Sequence, residues 1–135
     1  MNVEKELKEI KIKLEAVEKS LQKDEKFEEC NGLMWSNSIG EDLDWAQARQ
    51  FAKDCRDGGF DDWRVPTISE LQNVFDYEKG ESKIKGWIAA TYYWSATTRS
   101  GSTQNAWVRG QGSGYTYSNT KTLTEYAVRF VRPLK

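Results

Sequence analysis

A chain of 135 residues with a formal charge of −1 has room for one ordinary domain and a modest appendage, not for two independent cores. Its charged residues are dispersed, so no net field selects nucleic acid as a partner or draws the chain to an anionic membrane. The sequence contains no histidine, which removes the commonest general base and metal ligand, and with them Ser-His-Asp and Cys-His nucleophile arrangements and most zinc sites.

The first residues, "MNVEKELKEI", are charged from the fourth onward. No apolar run approaches the roughly eighteen residues that a membrane helix needs, so neither a signal peptide nor membrane insertion is expected. Val3, Leu7, Ile10, Leu14, Val17 and Leu21 recur at alternating spacings of four and three, the seam of a coiled coil with leucine at a and Val or Ile at d. Only Ile12 lies off the seam, and a helix resting on its own domain needs a wider stripe. Glu6 facing Lys11 and Lys13 facing Glu18 suit a parallel arrangement, and leucine at a with β-branched residues at d points to three or four strands. We therefore expect an oligomerisation helix over residues 1–26 and a globular unit over 27–135.

"CNGLMWS", residues 30–36, reads as a strand. In "EDLDWAQARQFAKDCRDGG", Asp44 and Gln47 have the spacing of a capping box. Trp45, Ala48, Phe51, Ala52 and Cys55 form one apolar face, and Gly58-Gly59 ends the helix. Thr67 and Glu70 make a second capping box after Pro66, with Ile68, Leu71, Val74 and Phe75 as its buried face. From Trp87 onward, short aromatic and β-branched runs separated by Gly, Ser, Thr and Asn are strand and turn signals. Two helices followed by a sheet predict an α+β fold with the helices packed on a mainly antiparallel sheet. Cys30 and Cys55 lack CxxC spacing; one disulfide between them and two buried thiols both fit the sequence.

Residues 95–124 carry the functional signal. Twenty of these thirty residues are Ser, Thr, Asn, Gln or Gly, and the only charges are Arg99, Arg109 and Lys121. Antibody loops use the same vocabulary: Tyr and Trp give contact area at low entropic cost, and Ser, Gly and Asn give adaptable hydrogen bonds. Trp94 and Trp107 are expected in the core. Tyr115 and Tyr117, at i and i+2 of a strand, project to one face and form an aromatic platform if that face is outward. Arg99, Ser100, Ser102, Gln104, Asn105, Arg109, Gln111, Ser113 and Asn119 complete the expected ligand-binding surface, whose chemistry suits a protein or glycan and offers no nucleophile or activated base. The acidic residues Glu41, Asp42, Asp44, Asp57, Asp61 and Asp62 do not form a calcium loop, so no metal and no cofactor is expected. "GQGSG" lacks the GKS or GKT of a phosphate loop.

"NGLMW", "WAQARQFAKDC", "DDWRVPTISELQNVFDY", "YYWSATT" and "YAVRFVR" follow one another in an order that resembles the Lcl C-terminal domain family, which has a C-type-lectin-like fold. The resemblance covers roughly residues 31–132. It implies a ligand-binding scaffold with a long irregular excursion displaying the binding surface, and some members are variable proteins of diversity-generating retroelements. Lectin-like necks favour a trimer over a tetramer for the homo-oligomer. Arg64, Arg129 and Arg132 match family positions, where pairing with carboxylates beneath the sheet is implied. Members often read "RCVR" where this chain has Phe130, which excludes a disulfide from Cys55 to the last strand and leaves Cys30 as its only conceivable intrachain partner. The "EPN", "QPD" and "WND" motifs of calcium-dependent sugar-binding lectins do not occur. The formylglycine-generating enzyme shares the broad fold, but its chemistry needs cysteines in the carboxy-terminal half, and this chain has none after Cys55. The leading expectation is a non-enzymatic binding protein with a diversified surface; a fixed-specificity lectin or adhesin, or a fibre or tail subunit, are the alternatives.

If the heptads drive assembly, removal of residues 1–25 yields a folded monomer in sedimentation equilibrium. A truncated chain that stays trimeric or tetrameric at micromolar concentration would place the oligomer interface elsewhere.

Overall fold

The structure, a computed structural model, describes residues 27–89 and 91–134. The heptad positions Val3, Leu7, Ile10, Leu14, Val17 and Leu21 lie outside the described residues. In chain order the elements are β1 (Glu28–Cys30), β2 (Leu33–Trp35), β3 (Ile39–Leu43), α1 (Trp45–Asp54), α2 (Ile68–Asn73), β4 (Phe75–Asp76), β5 (Glu81–Ser82), β6 (Tyr93–Arg99), β7 (Ser102–Arg109), β8 (Thr116–Thr120), β9 (Tyr126–Val128) and β10 (Val131–Pro133). They form an α+β domain with two helices and mostly antiparallel sheets: β3-β9-β6-β7-β8, β1-β2-β10 and the β4–β5 ribbon. The β6–β9 pair is parallel.

The strand layout differs from the sequence reading in two respects. "CNGLMWS" is a hairpin rather than one strand, turning at Asn31, whose φ of 55° is the left-handed conformation that asparagine tolerates. The helices also do not simply precede the sheet. β2 pairs with β10 and β3 with β9, so early strands close on the end of the chain. Strands this short show no periodicity to detect, and their partners lie far away in sequence.

Both capping boxes form. Asp44 Oδ1 accepts from the Gln47 amide at 2.8 Å, and Gln47 Oε1 accepts from the Asp44 amide at 2.9 Å. Thr67 Oγ1 and Glu70 Oε1 do the same for α2. Helix α1 stops at Cys55, ahead of the two glycines, which lie in a separate 3-10 turn over Asp57–Gly59. Ala48 and Ala52 are its buried residues, whereas Phe51, expected on the same face, is 40 % exposed. An i, i+4 stripe of alanines makes the contact, and Phe51 falls at its edge.

The core has two parts. Leu43, Ala48, Ala52, Trp63, Val65, Trp94, Ala106, Val108, Val128 and Phe130 pack together, and Trp35, Leu71, Val74, Ile84 and Val131 form the second cluster. Successive residues Phe130 and Val131 enter different clusters, as alternation along an extended chain requires. Trp94 is fully buried, and its indole N–H donates to the Leu43 carbonyl at 2.9 Å. Cys30 and Cys55 lie at the margins of different clusters, with no disulfide between them.

The three arginines expected to meet carboxylates divide. Arg64 forks onto Glu70 at 2.7 and 2.8 Å, and Arg132 pairs with Asp62 at 2.6 Å. Arg129 instead donates to the backbone carbonyls of Ser36 and Lys85, with its guanidinium 4.6 Å from the Trp87 ring centroid. Burial pushes its pKa down to about 10, so it stays cationic at neutral pH. Backbone carbonyls left over between short strands replace the expected carboxylate.

The Arg64 guanidinium holds the Glu70 carboxyl below its ordinary pKa. A depressed folded pKa means that this stabilisation is present above the unfolded value and lost as pH falls through the folded one. Glu70→Gln should therefore cost at most about 1 kcal/mol at neutral pH, because Arg64 is nearly half exposed. It should also flatten the fall of the urea midpoint on acidification. Parallel pH curves for the two proteins would contradict this assignment.

Candidate binding surface

The register of β7 sorts the carboxy-terminal residues onto two faces. Ala106 and Val108 lie opposite Asn119 and Tyr117 on β8, and opposite Thr98 and Trp94 on β6. All of these share the face covered by α1. Asn105, Trp107 and Arg109, with Thr120, Ser118 and Thr116, point to the face of α2, where Gln72 Nε2 donates to Thr116 Oγ1 at 3.3 Å.

On the α1 face, the aromatic rings form a continuous series. Tyr115 and Tyr117, 61 % and 53 % exposed, have centroids 6.2 Å apart. Tyr117 lies 5.4 Å from Tyr92, Tyr92 6.2 Å from Tyr126, and Tyr126 5.1 Å from buried Trp94. Each such pair contributes on the order of 0.5–1.5 kcal/mol, so the exposed pair is backed by packed rings. Asn119 Nδ2 donates to the Tyr126 hydroxyl at 3.0 Å. The neighbouring Tyr92 phenol, which disfavours a second negative charge, raises the Tyr117 pKa above its ordinary value. At neutral pH Tyr117 is thus a neutral hydroxyl, able to donate and accept. Beside Asn119, Lys121 donates to Thr98 Oγ1 at 3.0 Å and lies 3.9 Å from the Trp45 ring centroid.

A tight turn delivers Tyr115 to this face. The Gly114 amide donates to the Gly110 carbonyl, and the Gly110 amide to the Tyr115 carbonyl. Gly114 has φ of +75°, and a Cβ there would lie 2.9 Å from the Phe75 ring; a Cβ on Gly110 would lie 3.1 Å from the Tyr92 ring. Two glycines are therefore needed for turn geometry and close ring approach.

Arg109 braces this turn from the α2 side. It is buried and donates to the Gly114 carbonyl, to Thr116 Oγ1 at 2.8 Å and to the Tyr77 hydroxyl at 2.6 Å. Its guanidinium lies 5.2 and 5.5 Å from the Phe75 and Tyr77 ring centroids. Gln111 is also buried, and its Nε2 donates to the Leu71 carbonyl at 2.7 Å, one of the orphan acceptors at the end of short α2. Both residues were expected at the surface, and both are interior supports. The alternation Ala106-Val108 against Trp107-Arg109 hints at this, but the partners Tyr77 and Leu71 are distant in sequence.

The remaining expected contacts do not form one patch. Arg99 is exposed on the α2 face, donates to Ser118 Oγ at 2.9 Å and lies 5.7 Å from the ring centroid of half-buried Trp107. Ser100 and Gln104 are exposed, and Ser102 and Asn105 half-buried, in the β6–β7 hairpin. Ser113 is exposed in the glycine turn. Only Tyr115, Tyr117 and Asn119 join the ring series, and Tyr92 and Tyr126 are members that the sequence reading missed. Tyr92 had a signal: it precedes Trp94 by two residues, and so shares its face.

Chemically the surface offers broad aromatic area with hydroxyl and amide groups. Among the described residues no cluster of His, Cys, Asp or Glu is arranged to hold a metal ion. Compared with known sequences, residues 27–132 match the model of the Lcl C-terminal domain. The chain belongs to the Lcl C-terminal domain family. No curated protein matches it. Membership indicates a ligand-binding, adhesin-like domain, and the ring series lies wholly within the residues matched to the family.

Arg109→Ala removes a buried side chain and the donor that holds the Gly114 carbonyl and Thr116 Oγ1, and should cost on the order of 2–4 kcal/mol in urea unfolding. Arg109→Lys should recover only part, since one ammonium cannot reproduce the fork. Unchanged stability in both variants would remove Arg109 from its bracing role.

Proposed function

We propose that this chain is a non-enzymatic binding protein. In this reading, a C-type-lectin-like domain presents the tyrosine surface to a protein or glycan and is raised as a homo-oligomer, trimer before tetramer, on a coiled coil of residues 1–26. The exposed pair Tyr115 and Tyr117 carries the reading. Two large amphipathic rings, half or more exposed and supported by a ring series, offer a partner broad contact area at low entropic cost. Several weak sites held on one oligomer bind a repeated target far more tightly than one site does. No catalytic role, cofactor, nucleic-acid partner or membrane insertion belongs to this reading.

Within it we favour a variable protein of a diversity-generating retroelement over a fixed lectin or adhesin. β8 is an edge strand, and its exposed side chains lie outside both core clusters, so substitutions there leave the packing of the domain largely untouched. A near-copy of the gene beside the locus, differing chiefly at adenines, with natural variation concentrated over residues 99–119, is the expected genomic signature. An invariant locus would favour one fixed partner.

The direct test uses the labelled full chain on arrays of glycans and surface proteins. Tyr115→Ala with Tyr117→Ala should weaken any specific signal by about a hundredfold, the scale of two aromatic hot-spot residues, with unchanged circular dichroism and oligomer mass. Equal binding by the double variant would move the site away from β8, and loss of oligomer mass would make the surface an assembly interface.

A further inference from the structure

Away from the tyrosines, α1, residues 63–67 and β6 enclose a recess of about 410 Å3, within the range of pockets that take small molecules. Ala52, Trp63, Val65 and Ala96 supply its apolar lining. Trp63 and Val65 are each only 4 % exposed, and the Trp63 indole N–H is held by the Asp57 carbonyl at 3.0 Å, so this part of the wall is preformed.

The polar lining is cationic: Arg49, Lys53 and Arg64, with Thr67 beside them. Glu70 already engages Arg64. Among the described residues Arg49 and Lys53 make no ion pair and no carboxylate lines the recess. They stand one turn apart on α1, where two like charges repel and an anion between them is favoured. Arg49 is oriented by Trp45, its guanidinium 4.7 Å from the ring centroid. Thr67 Oγ1 accepts from the Glu70 amide, which leaves the hydroxyl proton available to donate.

We propose that this recess binds a small organic acid. Its carboxylate is bridged by Arg49 and Lys53 with Thr67 donating, and its apolar body rests on Trp63, Val65 and Ala96. An inorganic anion would leave the apolar wall unused, and a neutral apolar molecule would leave Arg49 and Lys53 unmatched. None of the residues lining the recess belongs to the tyrosine ring series.

The 15N-labelled full chain is titrated with phenylacetate, and the Trp63 indole and Ala96 amide resonances are followed. Saturable shifts are expected, with acetate, phenylacetamide and sulfate at matched ionic strength each much weaker. Arg49→Ala with Lys53→Ala, both at exposed positions, should raise the Kd about tenfold or more, the scale of a lost charge-assisted hydrogen bond. Lys53→Gln alone should give a smaller loss in the same direction. The proposal fails if phenylacetate gives no saturable shift, if sulfate moves the same resonances equally well, or if the double variant binds phenylacetate as the parent chain does.

Discussion

Because β7 is paired with β6 on one edge and β8 on the other, each of its side chains is committed to one of two faces. Ala106 and Val108 belong to the core under α1, while Arg109 reaches the region beneath α2 and β4. The same register fixes β8, so the positions of Tyr117 and Asn119 follow from the burial of Val108 and Ala106. A slip of one residue would turn Tyr117 towards Arg109 and empty the ring series. Ring stacking, the glycine turn and the Arg109 brace all depend on that register.

The polar interior shows how short elements are reconciled with burial. Two- and three-residue strands and a six-residue helix leave many backbone carbonyls without ladder or helix partners. Arg129, Arg109 and Gln111 answer this by reaching across the chain to carbonyls of Ser36, Lys85, Gly114 and Leu71. Arg64 and Arg132, nearer to solvent-facing acids, form ion pairs instead. An arginine's partner is therefore set by what its surroundings leave unsatisfied.

Exposed tyrosines on such a frame combine firmness with tolerance. Tyr117 is held through Tyr92 and Tyr126 to Trp94, an ordering that would lower the entropic cost of the ligand contact proposed for it. Ser118 and Thr120 alternate with it on the same edge strand, and their change would disturb no core cluster. The α1 recess differs in kind, being concave, apolar and cationic, where the tyrosines form a broad exposed surface.

Local chemistry was legible without tertiary information. Asp44 with Gln47 and Thr67 with Glu70 cap their helices through contacts three residues apart, and Tyr115 and Tyr117 share a side through the two-residue period of a strand. Each of these features joins groups that are neighbours in the chain, so residue type and spacing are enough to specify it. Long-range packing instead turns Arg109 and Gln111 inward, extends the aromatic surface through Tyr92 and Tyr126, and sets Arg99 on the face opposite Tyr117. Those outcomes depend on strand register and on partners such as Tyr77 and Leu71, dozens of residues away, whose hydrogen-bonding groups no local pattern records.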